Sequence, residues 1–255
     1  MSLKRLLKKT VLYRAYRALR QHRDITGWGA ADESRRRFYG RLVRPGDLCF
    51  DVGANIGNRT KILLRIGCRV VAVEPQPSCL RVLRRYYGAM KDLTIEPIGL
   101  GEAPGELTMT IGRESTVSTM APEWKAAVVR SGRFEEDLWT GQTLTVPVLT
   151  LEQLITRHGL PAFIKIDVEG FELPVLRGLR TAPRYLSFEF TPELMPNMLQ
   201  CIAQCTSIGT PTFNVSLGES MTLVHEQWLD HDAFIQALSR YAGQRDVFGD
   251  IYARY

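Results

Sequence analysis

The feature that most constrains the fold of this chain is an apolar strand that runs into a glycine turn and then into a helix. Residues 48–52 form an apolar run interrupted by Asp51, and residues 58–64 resemble the start of a helix. The turn between them consists of Gly53, Ala54, Asn55, Ile56 and Gly57. Such a turn lets backbone N–H groups approach a polar ligand at a helix N-terminus. The sequence therefore predicts a ligand site where the first strand ends.

A second acid closes the next apolar run. Glu74 follows residues 70–73, and this places it roughly 20 residues past the glycine turn, the spacing at which an acid binds ribose hydroxyls. The two features together predict a cofactor of the nucleoside type.

The residues of the turn narrow the choice of cofactor. A dinucleotide fingerprint has glycine at the first, third and sixth positions, where this chain has Gly53, Asn55 and Asn58. Asp51 places a negative charge just before the turn, which repels a pyrophosphate and attracts an ammonium or a sulfonium. S-adenosylmethionine carries both cations, so the pattern favours it over a nicotinamide dinucleotide.

A cluster of charges lies further along the chain. Residues 163–170 alternate apolar and charged side chains with the period of a strand, which places Lys165, Asp167 and Glu169 on one side. One interpretation is a structural ion pair between Lys165 and one of the acids. The other is a functional site at the carboxyl end of a central strand, where open α/β sheets bind their ligands. We favour the second, because charges buried without partners are costly.

These two segments resemble one known family. Residues 48–57, together with the sequence Ile-Lys-Ile-Asp-Val-Glu-Gly-Phe-Glu-Leu-Pro-Val-Leu-Arg-Gly over 164–178, resemble the FkbM family of S-adenosylmethionine-dependent methyltransferases. The resemblance covers about residues 45–215 and leaves out the first 40 or so. Residues 99–105 depart from the family pattern, with Gly-Leu-Gly-Glu where the family often has Ala-x-x-Asp.

The resemblance implies a fold and an activity. The fold is a Rossmann-like class I methyltransferase fold: a mostly parallel seven-stranded sheet with helices on both faces and a C-terminal antiparallel hairpin. Alternating strand and helix signals along the chain independently favour such an α/β sheet. The activity is methylation of a hydroxyl on a sugar, polyketide or other specialised metabolite, so the expected partner is a small-molecule or glycan acceptor.

The resemblance also implies roles for individual residues. The expected cofactor-binding residues are Asp51, Gly53, Ala54, Asn55, Gly57, Glu74, Pro75, Gly99 and Leu100. Within this set, Asp51 lies near the ammonium, Glu74 binds the ribose, and Pro75 with residues 99–100 lines the adenine. The expected catalytic residues are Asp167, Glu169 and Glu189, with Asp167 nearest the methyl-transfer centre.

Removing a proton from the acceptor is the difficult part of this chemistry. An unactivated alcohol has a far higher pKa than a carboxylate, so its proton leaves during transfer or a divalent metal acidifies it. Three carboxylates permit such a metal but do not demonstrate one. We therefore name no metal ligand.

The positive charge of the chain is concentrated at its N-terminus. Residues 1–47 contain 13 Lys or Arg and 4 Asp or Glu, whereas the whole chain carries a net charge of +6. Residues 4–20 have the spacing of a basic amphipathic helix. We interpret it either as a helix packed on the catalytic domain or as a peripheral contact with anionic membrane or an acidic partner. No aromatic-basic platform accompanies the charge, so we expect no nucleic-acid partner.

The chain divides into an extension and one catalytic domain. We expect a basic helical extension over 1–44 and a methyltransferase domain over 45–255, with an insert at 113–145 that covers the acceptor site. The five cysteines are an odd number without a CxxC pair, which is typical of reduced thiols. The expected location is cytoplasmic, with membrane association through the N-terminal helix.

Two other functions fit part of the sequence. A nicotinamide-dependent oxidoreductase has a related α/β fold, but the missing glycines and Asp51 argue against it. A non-catalytic binding module would keep the glycine turn, yet it has no need of Asp167 and Glu169.

Overall fold

The structure is a computed structural model, and it describes residue 22, residues 25–244 and residues 247–255. The predicted basic helix over 4–20 lies outside the described residues, so its proposed contacts stay predictions. No helix within the described ranges is long and apolar enough to cross a membrane.

The described residues contain ten β-strands and eight α-helices. The strands are β1 (Leu48–Val52), β2 (Arg69–Val73), β3 (Leu93–Glu96), β4 (Gly99–Leu100), β5 (Gly105–Gly112), β6 (Trp139–Leu149), β7 (Phe163–Ile166), β8 (Tyr185–Phe190), β9 (Thr212–Leu217) and β10 (Gly249–Arg254). The helices are α1 (Ala30–Tyr39), α2 (Asn58–Ile66), α3 (Pro77–Tyr87), α4 (Pro122–Arg130), α5 (Leu151–His158), α6 (Glu172–Arg177), α7 (Met195–Ser207) and α8 (His231–Ser239).

Seven of the strands form the main sheet, in the order β3-β2-β1-β7-β8-β10-β9. The first five are parallel, and β10 runs antiparallel to both of its neighbours. The predicted fold class is therefore confirmed. The antiparallel pair at the C-terminus is β9 with β10, and the segment after β9 adds two isolated bridges, Phe213 with Leu229 and Ser216 with Leu223.

The parallel strands are buried on both faces. All five residues of β1 and all four of β7 are buried, and both strands are largely apolar, as expected for central strands covered by helices. The carboxyl ends of these two strands are adjacent, because Val52 pairs in register with Ile166. The residues that follow β1 and β7, which are the glycine turn and the acids after residue 166, thus meet at one end of the sheet.

The segment 113–145 has its own regular structure. It contains two short 3₁₀ turns, helix α4 and the first half of β6, and β6 joins β4 and β5 in a second sheet of three strands. Trp124 and Trp139 are buried there against Val117 and Val128. These aromatic residues supply a small core of their own, so the insert is a folded unit.

Helix α1 and the residues after it pack against one face of the main sheet. Phe38, Tyr39 and Val43 are buried against Phe163 of β7 and Tyr252 of β10. All five cysteines are buried free thiols. The segment preceding β1 thus contributes to the core.

Candidate functional site

A cleft of about 930 Å³ opens where β1, β2 and β7 end. Its volume lies within the range of pockets that hold small ligands and cofactors. Every predicted cofactor residue except Gly57 lines this cleft, and so do two of the three predicted catalytic acids, Asp167 and Glu169. The third, Glu189, lies beside those two acids.

The glycine turn needs both of its glycines for geometric reasons. Gly53 has φ +80°, and a Cβ on it would lie 1.8 Å from the carbonyl oxygen of Asp167. Gly57 has φ +89°, and a Cβ there would lie 2.7 Å from the ring of Tyr87. Only glycine combines this backbone conformation with so close an approach. The turn between β1 and α2 is therefore packed directly against the residues that follow β7.

Asp51 lies beneath this turn. Its side chain is buried and accepts a hydrogen bond from the hydroxyl of Thr60 in α2. Burial raises the pKa of Asp51, and the Thr60 hydrogen bond and the charges of Lys165 and Arg59 oppose the rise. Asp51 is thus positioned both to support the turn and to present negative charge to the cleft.

Glu74 lies at the end of β2 and faces the same turn. One of its oxygens accepts the backbone N–H of Asn55 at 2.9 Å, and the other accepts that of Gln76 at 2.7 Å. Burial is the main reason that the pKa of Glu74 is raised to about 7, and the two backbone hydrogen bonds oppose it. The side chain therefore closes the turn, and its contact with a ribose stays a prediction.

Part of the lining of the cleft is apolar. Pro75, Gly99 and Leu100 line it, together with Met109 and Met120 from the second sheet and its insert. The predicted adenine-lining residues thus lie in one region of the cleft.

Two polar residues that sequence reasoning missed connect the insert to the cofactor turn. Ser115 donates a hydrogen bond from its hydroxyl to the side-chain oxygen of Asn55 at 2.9 Å. The side-chain amide of Gln76 donates to the backbone oxygen of Ser115 at 3.1 Å. The only feature of the sequence that could have indicated either contact is the position of Gln76, two residues after Glu74.

The three predicted catalytic acids come together. Carboxylate oxygens of Asp167, Glu169 and Glu189 all lie within 4.8 Å of one another. Strand β7 ends at Ile166, before the alternating pattern over 163–170 ends, and Glu169 has φ +54°. Glu169 therefore reaches the cluster through a turn and not along a strand. Carboxylate oxygens are also the ligands that Mg²⁺ prefers, so the cluster fits a divalent cation chemically.

The environment separates the pKa values of these acids. Burial alone would raise the pKa of Asp167, but the charges of Lys165 and Arg59 lower it below its usual value. For Glu169 and Glu189, burial and the neighbouring carboxylates raise the pKa well above its usual value. Acids whose environments separate their pKa values in this way are typical of acid–base sites.

Lys165 has two acidic partners. Its ammonium group is buried and lies 3.1 Å from Asp167 and 2.9 Å from Asp250 of β10. The structural ion pair that was one interpretation of the sequence is therefore present alongside the acid cluster. Asp250 follows Lys165 by 85 positions, so no local pattern predicted this contact.

Glu172 is a further acid that sequence reasoning did not single out. It is buried at the start of α6, and one carboxylate oxygen accepts the backbone N–H groups of Val168 and Gly170 at 3.1 and 3.2 Å. The side chain stabilises the turn that carries Asp167 and Glu169.

The geometry agrees with the comparison to known families. The Methyltransferase FkbM domain matches residues 51–232, which is well over half of the chain. This chain belongs to the FkbM family of S-adenosylmethionine-dependent methyltransferases. S-adenosylmethionine is therefore its cofactor, and the roles of the glycine turn and of the acid cluster stay predictions.

Two curated relatives give a scale for the similarity. The FkbM protein of Streptomyces tacrolimicus, a 31-O-demethyl-FK506 methyltransferase, is 30% identical over 168 residues, which cover 56% of this chain and 64% of that protein. A carboxy-S-adenosyl-L-methionine synthase of Pseudomonas putida is 27% identical over 133 residues, covering 48% and 53%. The chain thus matches less than two thirds of the length of either relative.

Solved structures resemble the chain only loosely. Fibrillarin from Aeropyrum pernix, in complex with bound S-adenosyl-L-methionine, aligns with a TM-score of 0.44 at 14% identity and covers 87% of this chain and 73% of its own. Such distant similarity carries no argument about the acceptor.

Proposed function

We propose that this FkbM-family chain transfers a methyl group from S-adenosylmethionine to a hydroxyl of a sugar, polyketide or other specialised small molecule. The observation that supports it best is the packing of the two turns, because the Gly53 Cα lies against the Asp167 carbonyl. The acids of the second turn are thereby held beside the cofactor turn. A reacting hydroxyl placed between them would be aligned by both.

The residues of the cleft fit the cofactor. Gly53 and Gly57 have positive φ angles and let the turn pack against Asp167 and Tyr87, which holds the backbone of the turn at the cleft. Asp51 places negative charge beneath the turn, where an ammonium or sulfonium is favoured. When bound, S-adenosylmethionine supplies a methyl group that its sulfonium already activates.

The acids then act on the acceptor. Asp167 is held ionised by Lys165, so it accepts a hydrogen bond from the acceptor hydroxyl and orients the oxygen lone pair. Glu169 or Glu189, whose pKa values are raised, receives the proton as transfer proceeds. A carboxylate whose pKa is raised holds a proton more tightly, which favours it as the proton acceptor.

The acid cluster favours a second version of this mechanism. A divalent cation held by Asp167, Glu169 and Glu189 would acidify the hydroxyl directly. Transfer that EDTA abolishes and Mg²⁺ restores would assign the cluster to a metal. Transfer that EDTA leaves unchanged would assign it to acid–base work.

The insert at 113–145 is proposed to cover the acceptor. Its residues Glu114, Ser115, Thr116, Ser118 and Met120 line the cleft, and its Thr119 hydroxyl donates a hydrogen bond to the backbone oxygen of Glu169. An acceptor that reaches the acid cluster would therefore lie against this segment.

The test has a binding arm and a transfer arm. Calorimetry should detect S-adenosylhomocysteine and no NADH, because the turn lacks the glycines of a dinucleotide site. Cofactor labelled in its methyl group is then incubated with a panel of glycosides and polyketide alcohols, and each product is compared with the product from the matching deoxy compound. If a compound accepts the label but its deoxy counterpart does not, the proposal is supported. Label that persists in every deoxy compound, or binding of NADH alone, contradicts it.

A further inference from the structure

Positive charge in the cleft is confined to one place. Of the described residues that line it, only Arg35 of α1 and Arg59 of α2 are cationic. The acidic residues that line it are Asp51, Glu74, Glu114, Asp167, Glu169 and Glu219. An anionic group of a ligand in this cleft therefore has two arginines to pair with.

Arg59 has a donor that the protein does not use. Its side chain is 15% exposed, and its Nη2 atom donates to both carboxylate oxygens of Glu219 at 2.7 and 2.9 Å. Its Nε atom is buried and has no hydrogen-bond partner. A buried donor without an acceptor is costly, and native proteins contain few of them. The unused donor therefore indicates that a ligand completes the site.

Arg35 and Arg59 share an acidic partner. Glu219 serves both, with Arg35 at 3.3 Å, and it is itself half-exposed. The second acid near Arg35 is Asp32 at 3.6 Å, which also pairs with Lys61 at 2.9 Å. A purely structural ion-pair network would not leave an unpaired Nε atom on an arginine that lines a cleft.

We propose that Arg59, with Arg35 beside it, binds the α-carboxylate of the cofactor's methionyl group. This inference rests on the proposed function. The α-carboxylate and the ammonium share one carbon, so their binding groups must be neighbours, and Arg59 is close enough to Asp51 to act on its charge. The Arg59 guanidinium suits a carboxylate, since its Nη2 atom alone already binds both oxygens of Glu219 and its Nε atom is unpaired.

The test uses two nucleosides that differ in this group. S-adenosylhomocysteine has the amino-acid end, whereas 5′-methylthioadenosine lacks it. Arg59→Gln should weaken S-adenosylhomocysteine by roughly 10- to 100-fold, the effect of a lost charge-assisted hydrogen bond, and should leave 5′-methylthioadenosine within about twofold. Both affinities are measured by calorimetry, and the melting temperature of each variant checks folding.

Two further variants keep the test decisive. Arg65→Gln changes the same residue type at the other end of α2, outside the cleft lining, and should leave both affinities unchanged. Arg59→Lys keeps the charge but not the fork, so it should fall between wild type and Arg59→Gln, and it replaces that variant if glutamine prevents folding.

Three results would overturn the inference. If the affinities for both nucleosides fall equally, Arg59 only shapes the turn. If Arg59→Gln weakens neither nucleoside, the carboxylate binds elsewhere, and the arginines are left to bind an acidic group on the acceptor. If the wild type binds neither nucleoside, the proposed function itself fails, which separates that failure from the first two.

Discussion

Gly53→Ala should damage this protein more than any other glycine substitution of the same backbone class. Two penalties combine at this position. Its φ of +80° disfavours any residue with a Cβ, and that Cβ would lie 1.8 Å from the Asp167 carbonyl oxygen. Ordinary contact begins at 3.4 Å, so the turn and the end of β7 must separate by about 1.6 Å.

The two penalties can be estimated separately. A non-glycine residue in the left-handed region costs roughly 1–2 kcal/mol. Forcing apart two packed segments costs typically about 1–3 kcal/mol more. Gly53→Ala should therefore lower the free energy of unfolding by about 2–5 kcal/mol. Because the displaced turn is the cofactor turn, affinity for S-adenosylhomocysteine should fall with it.

Gly46→Ala is the matched control. Gly46 has φ +86°, and a Cβ there would meet nothing within 4 Å, so only the first penalty applies. Urea unfolding gives the stability of both variants, and calorimetry gives their affinity for S-adenosylhomocysteine. If Gly53→Ala is no more destabilising than Gly46→Ala, and binds equally well, the close approach of the two turns is not what holds the site together.

Three further predictions concern the acids of the site. Affinity for S-adenosylhomocysteine should rise with pH through about 7, the pKa of Glu74, because ionised Glu74 is the better acceptor for ribose hydroxyls. A flat pH profile in calorimetry would exclude that contact. Asp167→Asn should cut the rate of single-turnover methyl transfer roughly 100-fold. Cofactor affinity should stay within a few fold, because Lys165 still pairs with Asp250, and an unchanged rate would show that Asp167 is structural. Glu172→Ala should cost about 1–3 kcal/mol in urea unfolding, as two backbone N–H groups lose their acceptor, and full stability would show that water replaces it.

The local parts of the site could be predicted from the sequence. Asp51, Glu74 and Asp167 each end, or directly follow, an apolar run that became a strand, and parallel strands bring their carboxyl ends to one edge of the sheet. The pattern of each run, together with this single rule of topology, was enough to bring them together. No knowledge of the order of the strands was needed.

Partners from distant segments could not be predicted in this way. Asp250 reaches Lys165 from β10, and Glu219 reaches Arg59 from the loop after β9. Both contacts depend on the position of the antiparallel strand and of the loop that precedes it. Neither acid lies in a motif, so each looks in the sequence like an ordinary surface charge.

The insert was the least predictable part for a different reason. Its part of strand β6 is exposed over residues 140–143, so the apolar alternation that identifies a half-buried strand is absent there. Its helix α4 buries only Trp124 and Val128, too few residues to establish a clear period. A thin layer with a small core leaves a weak pattern in the sequence.

The insert nevertheless helps to determine the geometry of the acid cluster. A Cβ on Gly170 would lie 2.2 Å from the Trp124 side chain, so α4 is packed directly on the turn that follows β7. The Thr119 hydroxyl donates a hydrogen bond to the backbone oxygen of Glu169 at 2.6 Å on the same side, and Glu172 accepts the N–H groups of that turn from within. The left-handed backbone of Glu169 is held by these contacts together, since such a conformation is unfavourable on its own. The sequence 164–178 therefore supplies two of the three acids, but the position of Glu169 depends on a segment that lies some 50 residues earlier in the chain. Changes in the insert that suit a different acceptor should for this reason also shift the acids that act on it.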